Sequence, residues 1–383
     1  FTVNQATLQN GSATNGGAIK NSGDLAITNS TILNNSADSY GGGVDNDGTV
    51  TVTNGTFASN SAGSIGGGIR NLGSGTLSLT NSTFSDNSAT IAGGIFGGDP
   101  VTVTNSTFSG NSADSVGGIY IYTSTWHLAG NVFAAGPNGA NCFNESGTLD
   151  DNGYNLSDDS TCTNGGTGSA TNATLNLGVL ANNGGPTLTH LPGAGSAAIG
   201  AIPNGTTISN NGTSWTCNDA DTFTDQRGEP RPINTLTACT AGAVEVAIPL
   251  CPSWTVTTAD ELYNCILEAN ANESPSPTAD TITLGADIDL TKLTINPLPQ
   301  ISTEITLEGA GYAIDGKDIV QLFDVVSGGD FTINQATLQN GSADNGGAIM
   351  NAGAVTVTNS TFFSNIVTGA GGAIATTSGA TLT

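Results

Sequence analysis

Side chains able to do acid–base or nucleophilic chemistry are few and scattered in this sequence. It has two histidines, His127 and His190, in unrelated contexts. No nucleophile stands at a recognisable spacing from a base. Polysaccharide lyases need a cationic base with calcium, and polysaccharide hydrolases several aspartates converging on one face beside a histidine, and neither pattern is present. Arg227 and Arg231 fall next to Asp225 and Glu229, and pairing that locks a loop is their expected role. The expectation is a protein that is not an enzyme.

Hard cations favour oxygen-rich turns. The segment Asp45-Asn-Asp-Gly48 is such a turn, and Asp45 and Asp47 are its candidate calcium ligands. Asp150-Asp151 and Asp219-Ala-Asp221 are weaker versions, and none of the three fits an EF-hand or a nonapeptide calcium roll. No other cofactor is expected. The six cysteines show no CxxC spacing, which disfavours zinc. They fall into three sequence-local pairs, Cys142 with Cys162, Cys217 with Cys239 and Cys251 with Cys265. Other connectivities stay open from sequence alone, but disulfides of any pairing place the chain outside the reducing cytosol.

What must position these residues follows from composition and period. The formal charge of −25 leaves nothing to neutralise phosphates, which argues against nucleic acid and anionic membrane. No apolar run is long enough for direct membrane insertion. Charged residues are 10% of the chain, Gly reaches 54, Asn, Ser and Thr are abundant, and small and β-branched residues dominate, a composition of strands and tight turns. The chain opens at Phe1 inside one strand pattern and stops at Thr383 inside another, which reads as a window on a longer protein.

A short repeat sets the fold. Thr-Val-Thr-Asn-Gly-Thr-Phe-Ala-Ser-Asn-Ser-Ala from Thr51 recurs in close variants from Ser78 and Thr102, and Leu25 opens another. A glycine-rich step ending in an aliphatic residue follows each copy. A period of about 25 residues, with apolar and hydroxyl residues alternating, is one coil of a solenoid. The predicted class is all-β, a right-handed parallel β-helix with three short sides per coil. Stacking would superpose Ile32, Phe57, Phe84 and Phe108 in a hydrophobic ladder. It would also superpose Asn35, Asn60, Asn87 and Asn111 in an amide ladder. Asn-x-Ser/Thr sequons such as Asn29, Asn54, Asn81 and Asn105 follow from the same repeat.

A long repeat lies above the short one. Phe331-Thr-Ile-Asn-Gln-Ala-Thr-Leu-Gln-Asn-Gly-Ser-Ala restates the sequence from Phe1, at an offset of 330 residues. The expected organisation is coils over 1–125, the C-terminal part of the unit with two disulfide loops over 126–247, the cap and first coils of a second unit over 248–330, and restated coils over 331–383. Thr258-Ala-Asp-Glu261 reads as a capping box. Leu262, Cys265, Ile266 and Ala269 then follow at helical spacing, so a short helix is expected to cap the N-terminal end of the second unit.

Three sets of motifs carry a family resemblance. The FxxN and GGAI patterns, as in Phe57-Ala-Ser-Asn60 and Gly16-Gly-Ala-Ile19, resemble repeats of polymorphic outer-membrane proteins. Trp254-Thr-Val-Thr-Thr-Ala-Asp with Asn264-Cys-Ile-Leu-Glu-Ala-Asn270 resembles a CSLREA-type segment. Asn183-Gly-Gly-Pro-Thr-Leu-Thr-His190, Gly195–Gly200, Asp225-Gln-Arg-Gly228 and Gly242-Ala-Val-Glu245 resemble the end of choice-of-anchor Q domain proteins. The resemblance implies an exported bacterial surface β-helix. One departure stands out: no anchoring tail follows Glu245, and a new cap begins. The reading is an extracellular structural protein whose tandem units form a stiff filament, sheath or surface stalk, with copies of itself as partner. The alternative is a cell-surface adhesin binding glycans or neighbouring cells through a solenoid side face. A row of exposed aromatics would mark that face. Tyr120, Tyr122 and Trp126 are its nearest supply, with capping of the core as their expected role.

Overall fold

The computed structural model describes residues 1–193, 195–217, 223–232, 238–246, 251, 253–271, 280–293 and 297–383. It divides into two units, Phe1–Ile248 and Pro249–Thr383. Asp219 and Asp221 lie outside the described residues.

Alternation of apolar and hydroxyl residues over three to five positions makes a strand that buries one face. In the coils of the first unit each such strand pairs in parallel with its equivalent one coil away, giving four sheets, and a separate antiparallel hairpin joins Thr207–Asn210 to Thr213–Thr216. The first runs from Thr2–Asn4 through Asp24–Thr28, Thr49–Thr53, Leu77–Thr80, Val101–Thr104 and Thr125–Ala129 to Thr148–Asp151. The second starts at Thr7–Gln9 and ends at Leu156–Ser157, the third joins Ser12–Asn15 to Ser112–Ala113, and the fourth joins Ile19–Asn21 to Ala140–Asn144. The chain is thus a parallel β-solenoid.

Two features differ from the sequence expectation. The coil has four sides, not three, because single left-handed residues break what reads as one strand into two. Asn29, Asn54, Asn81 and Asn105 have φ of 47–55°, and Asn34, Ser59 and Asp86 repeat the bend five residues later with φ of 53–55°. Asparagine tolerates this region better than most residues. At the next corner Gly16, Gly41 and Gly66 take the left-handed conformation, and a Cβ there would strike the carbonyl of Ile19, Val44 or Ile69 within 2.5 Å. The coils also run past residue 125. Trp126, His127 and Cys142 replace the repeat residues, but Trp126 still pairs with Val101, and Cys142 with Ile119.

Inward residues build the core. Val3, Ile27, Val52, Leu79, Val103 and Leu128 form one continuous row. Ile19, Val44, Ile69, Ile95, Ile119 and Cys142 form a second. Each rung lends its neighbours the surface they need to bury, so stability is shared along the stack.

The second unit repeats the plan with a cap. Its largest sheet orders Thr255–Val256, Asp280–Leu284, Glu304–Glu308, Asp330–Asn334, Ala354–Thr358 and Thr381–Leu382. Helix α1 (Ala259–Ala271) starts on the capping box: Glu261 N donates to Thr258 Oγ1, and Glu261 Oε2 accepts from Thr258 N. Leu262, Cys265, Ile266 and Ala269 are buried in a cluster with Ile282, Leu284 and Ile305, so the helix covers the first rungs of this unit. Cys251–Cys265 ties it to the preceding segment, with Cα atoms 4.6 Å apart.

Candidate functional site

The amide ladder is a closed hydrogen-bond system at the corner between the second and third sheets. Oδ1 of Asn87 accepts from both N and Nδ2 of Asn60, and Nδ2 of Asn87 donates to Asn111 Oδ1 and Phe57 O. Asn35 bonds to Asn60 in the same way, all four being buried. Beside it Ile32, Phe57, Phe84 and Phe108 occupy one register. Leu8 precedes them and Phe133 follows. The rings of Phe57, Phe84, Phe108 and Phe133 stack at centroid separations of 4.7, 4.9 and 5.1 Å.

A second amide ladder escaped the sequence reading. Asn21 Nδ2 donates to Asn46 Oδ1 at 2.7 Å, and Asn46 Nδ2 to Asn71 Oδ1 at 2.7 Å. Its signal was an asparagine two residues after each glycine-step aliphatic, in Ile19-Lys-Asn, Val44-Asp-Asn and Ile69-Arg-Asn.

Asp45 and Asp47 lie between two cations. Lys20, Asp45 and Arg70 are register partners on the fourth sheet. Lys20 Nζ meets Asp45 at 2.7 Å and also contacts Asp47, while Arg70 contacts Asp45 and meets Asp47 at 3.0 Å. Burial opposes the charge on Asp47, but hydrogen bonds from Lys20 and Arg70 outweigh it and hold this carboxyl below its ordinary range. Calcium here would have to displace two positive charges. Among the described residues no three His, Cys, Asp or Glu converge as a metal site.

The segment after the last coil returns along the outer face of the second sheet, as a strap. Its hydroxyl row, Thr56, Thr83, Ser85 and Thr107, is buried. Gln226 Nε2 donates to Thr56 Oγ1 and Thr187 Oγ1, and Gln226 Oε1 accepts from Thr83 Oγ1. His190 spans Ser85 Oγ at 3.0 Å and Gly178 O at 2.7 Å, and burial holds its pKa below the usual histidine value. Ala243 N donates to Thr107 Oγ1. Asn81, beneath the strap, donates to Thr224 O. Asn81 and Asn105 are buried, so in the folded chain these two sequons present no exposed amide for a glycan.

Arg231 and Glu245, both fully buried, pin the strap. Arg231 donates to Thr240 O at 2.7 Å and Gly242 O at 2.6 Å, and lies 3.4 Å from Glu245 Oε2. Burial pushes the Glu245 carboxyl up to about 7, against the pull of Arg231 and the Thr240 N–H. Asp225 accepts from Arg227 Nε and from the backbone N–H groups of Arg227, Glu229 and Glu245. Arg227 and Arg231 therefore hold chain, not an open ligand face. Cys217–Cys239 closes the loop that carries both arginines, with Cα atoms 5.8 Å apart.

The distal end of the first unit is sealed by carboxylates and a disulfide. Cys142–Cys162 sits at the end of an inward row, with Cα atoms 5.0 Å apart. Asp151 accepts from Asn164 N, Gly166 N, Ser169 Oγ and Asn155 Nδ2. Asp159 accepts from Asn141 N, Thr161 N and Ser157 Oγ. Burial opposes both charges, but these hydrogen bonds outweigh it and depress both carboxyls. A depressed carboxyl contributes stability above its unfolded pKa and loses it as pH falls through the folded value. The expected result is a lower melting temperature of the first unit at about pH 3 than at about pH 5. That dependence should shrink in Asp151→Asn. A pH-independent melt would refute the role assigned to these groups.

His127 pairs across one rung with Asp150 at 3.1 Å, away from His190. Trp126 points into the core with no exposure. Tyr120 and Tyr122 stand outside it. Tyr120 stacks on Phe96 at 5.3 Å, Tyr122 leans on the same ring, and Phe143 follows Tyr120 at 5.2 Å. Two of the three aromatics expected to cap the core thus form a lateral row.

Fold and site together define a disulfide-bearing parallel β-solenoid with a lateral strap. No family model, no curated protein and no solved structure matches the chain.

Proposed function

We propose that this chain is an extracellular structural protein in which β-helix units follow one another covalently in a stiff thread or surface stalk. The observation that carries the reading is the restatement of the Phe1 coil at Phe331, in a unit with its own helical cap. Three sheet strands precede the restated rung there, Thr255–Val256, Asp280–Leu284 and Glu304–Glu308. Added to the seven of the first unit, they give a complete copy ten rungs, or roughly 50 Å of solenoid at ~4.8 Å per rung.

The caps favour covalent tandem units over rung-to-rung assembly. Helix α1 covers one end of a stack, and residues 163–173 cover the other through bonds such as Tyr154 N to Thr167 O and Ser157 N to Ala170 O. Covered end rungs disfavour extension of the ladder by another copy. The disulfides agree with folding outside the reducing cytosol, and no helix among the described residues is long and apolar enough to cross a membrane. The resemblance to choice-of-anchor Q and CSLREA-type surface proteins points the same way. Electron microscopy of native material tests the reading. Threads beaded at a repeat no shorter than roughly 50 Å support it, whereas isolated rods of that length contradict it.

A further inference from the structure

The fourth sheet carries an outward aromatic strip, founded on the buried Phe96, whose Tyr120, Tyr122 and Phe143 belong neither to the core cluster nor to the strap. Phe96, Tyr120 and Phe143 are register partners on successive rungs. Phe143 is 47% exposed and Tyr122 40%. Phe96 is buried beneath Tyr120 and Tyr122, and Tyr120 is half-buried, so the strip presents Tyr122 and Phe143 to solvent, and neighbouring exposed aromatics need an explanation that scattered ones do not.

Polar groups flank the rings. Tyr120 Oη donates to Glu145 Oε2 at 2.8 Å. Asn144, next to Phe143, lines a recess of about 390 Å³ with Thr148, Thr163 and Asn164. Amide, hydroxyl and carboxylate groups beside apolar rings match one ligand chemistry, the hydroxyl edges and C–H faces of a pyranose. Charge narrows the class. The protein carries −25, and the basic residues on the same sheet, Lys20 and Arg70, are neutralised by Asp45 and Asp47. No cation is left there for an acidic sugar, and the overall field repels one.

We infer that this strip binds a neutral polysaccharide, with Tyr122 and Phe143 as stacking platforms and the Asn144 recess taking the hydroxyls of an adjoining residue. The site belongs to the first unit alone and holds whether or not units form a thread. A wall glycan bound along the solenoid side would fix such a protein to a surface without a membrane anchor.

The test is titration calorimetry of the full chain with cellohexaose, mannohexaose, chitohexaose and polygalacturonate. Binding of at least one neutral oligosaccharide is expected, unchanged by added salt, and weakened about tenfold or more in Tyr122→Ala/Phe143→Ala. Both side chains are surface-exposed, and an unchanged melting temperature would show that the variant folds. Phe363→Ala, an exposed ring of the second unit, should bind normally. Binding of polygalacturonate alone, equal binding by wild type and double variant, or no binding to any neutral probe would overturn the inference. So would a change only in self-association when the two rings are removed.

Discussion

Phe84→Ala is expected to destabilise the first unit by about 3–5 kcal/mol, the range for deleting a buried aromatic where the surroundings relax little. Phe84 has no exposure and is stacked on both sides, at 4.7 Å from Phe57 and 4.9 Å from Phe108. Its backbone is held in register to the same two rungs, so the cavity cannot close by bringing the neighbours together. In a solenoid the loss falls on a nearest-neighbour interface, and a weak rung in mid-stack undermines those on either side. Urea unfolding should show a lower midpoint, with Phe84→Leu falling in between and Phe363→Ala near wild type. A loss below about 1 kcal/mol would mean that the ring stack is incidental to the fold.

The second large effect concerns the strap. Arg231→Ala leaves Glu245 without its counter-charge and the carbonyls of Thr240 and Gly242 without a donor. Removing one partner of a buried pair typically costs about 3–5 kcal/mol. The damage should be local, because the solenoid core lies in a separate hydrophobic cluster. Hydrogen exchange should accelerate over 183–190 and 223–231 while Ile27, Val52 and Leu79 keep their protection. Arg231→Met with Glu245→Leu, which removes both charges, should restore much of it. If Arg231 instead served a ligand, the single change would leave exchange in the strap untouched.

How much of this was legible follows from which interactions are local in sequence. The 25-residue period exposed the phenylalanine and asparagine registers because a parallel solenoid superposes equivalent positions, so spacing becomes contact. The capping box at Thr258 and Glu261 was legible for the same reason, being contained in four residues. The four-sided coil was not, since nothing distinguishes Asn29 as a left-handed corner from an asparagine within a strand. The strap was illegible as a contact. Gln226 meets Thr83 across 143 residues, and no periodicity links them. Its motifs could be seen as motifs, but only the packing shows that Asp225, Gln226, Arg231 and His190 hold chain against the outer sheet. The aromatic row also needed the structure, because Trp126 and Tyr122 look alike in sequence and face opposite ways.

The tandem reading is tested most directly by the mass of the undigested native protein under fully denaturing conditions, with and without reductant. A species far above the mass of this segment, 38.0 kDa, and insensitive to reductant is the expected result for a covalent thread of β-helix units. A species of a single unit's mass would contradict it.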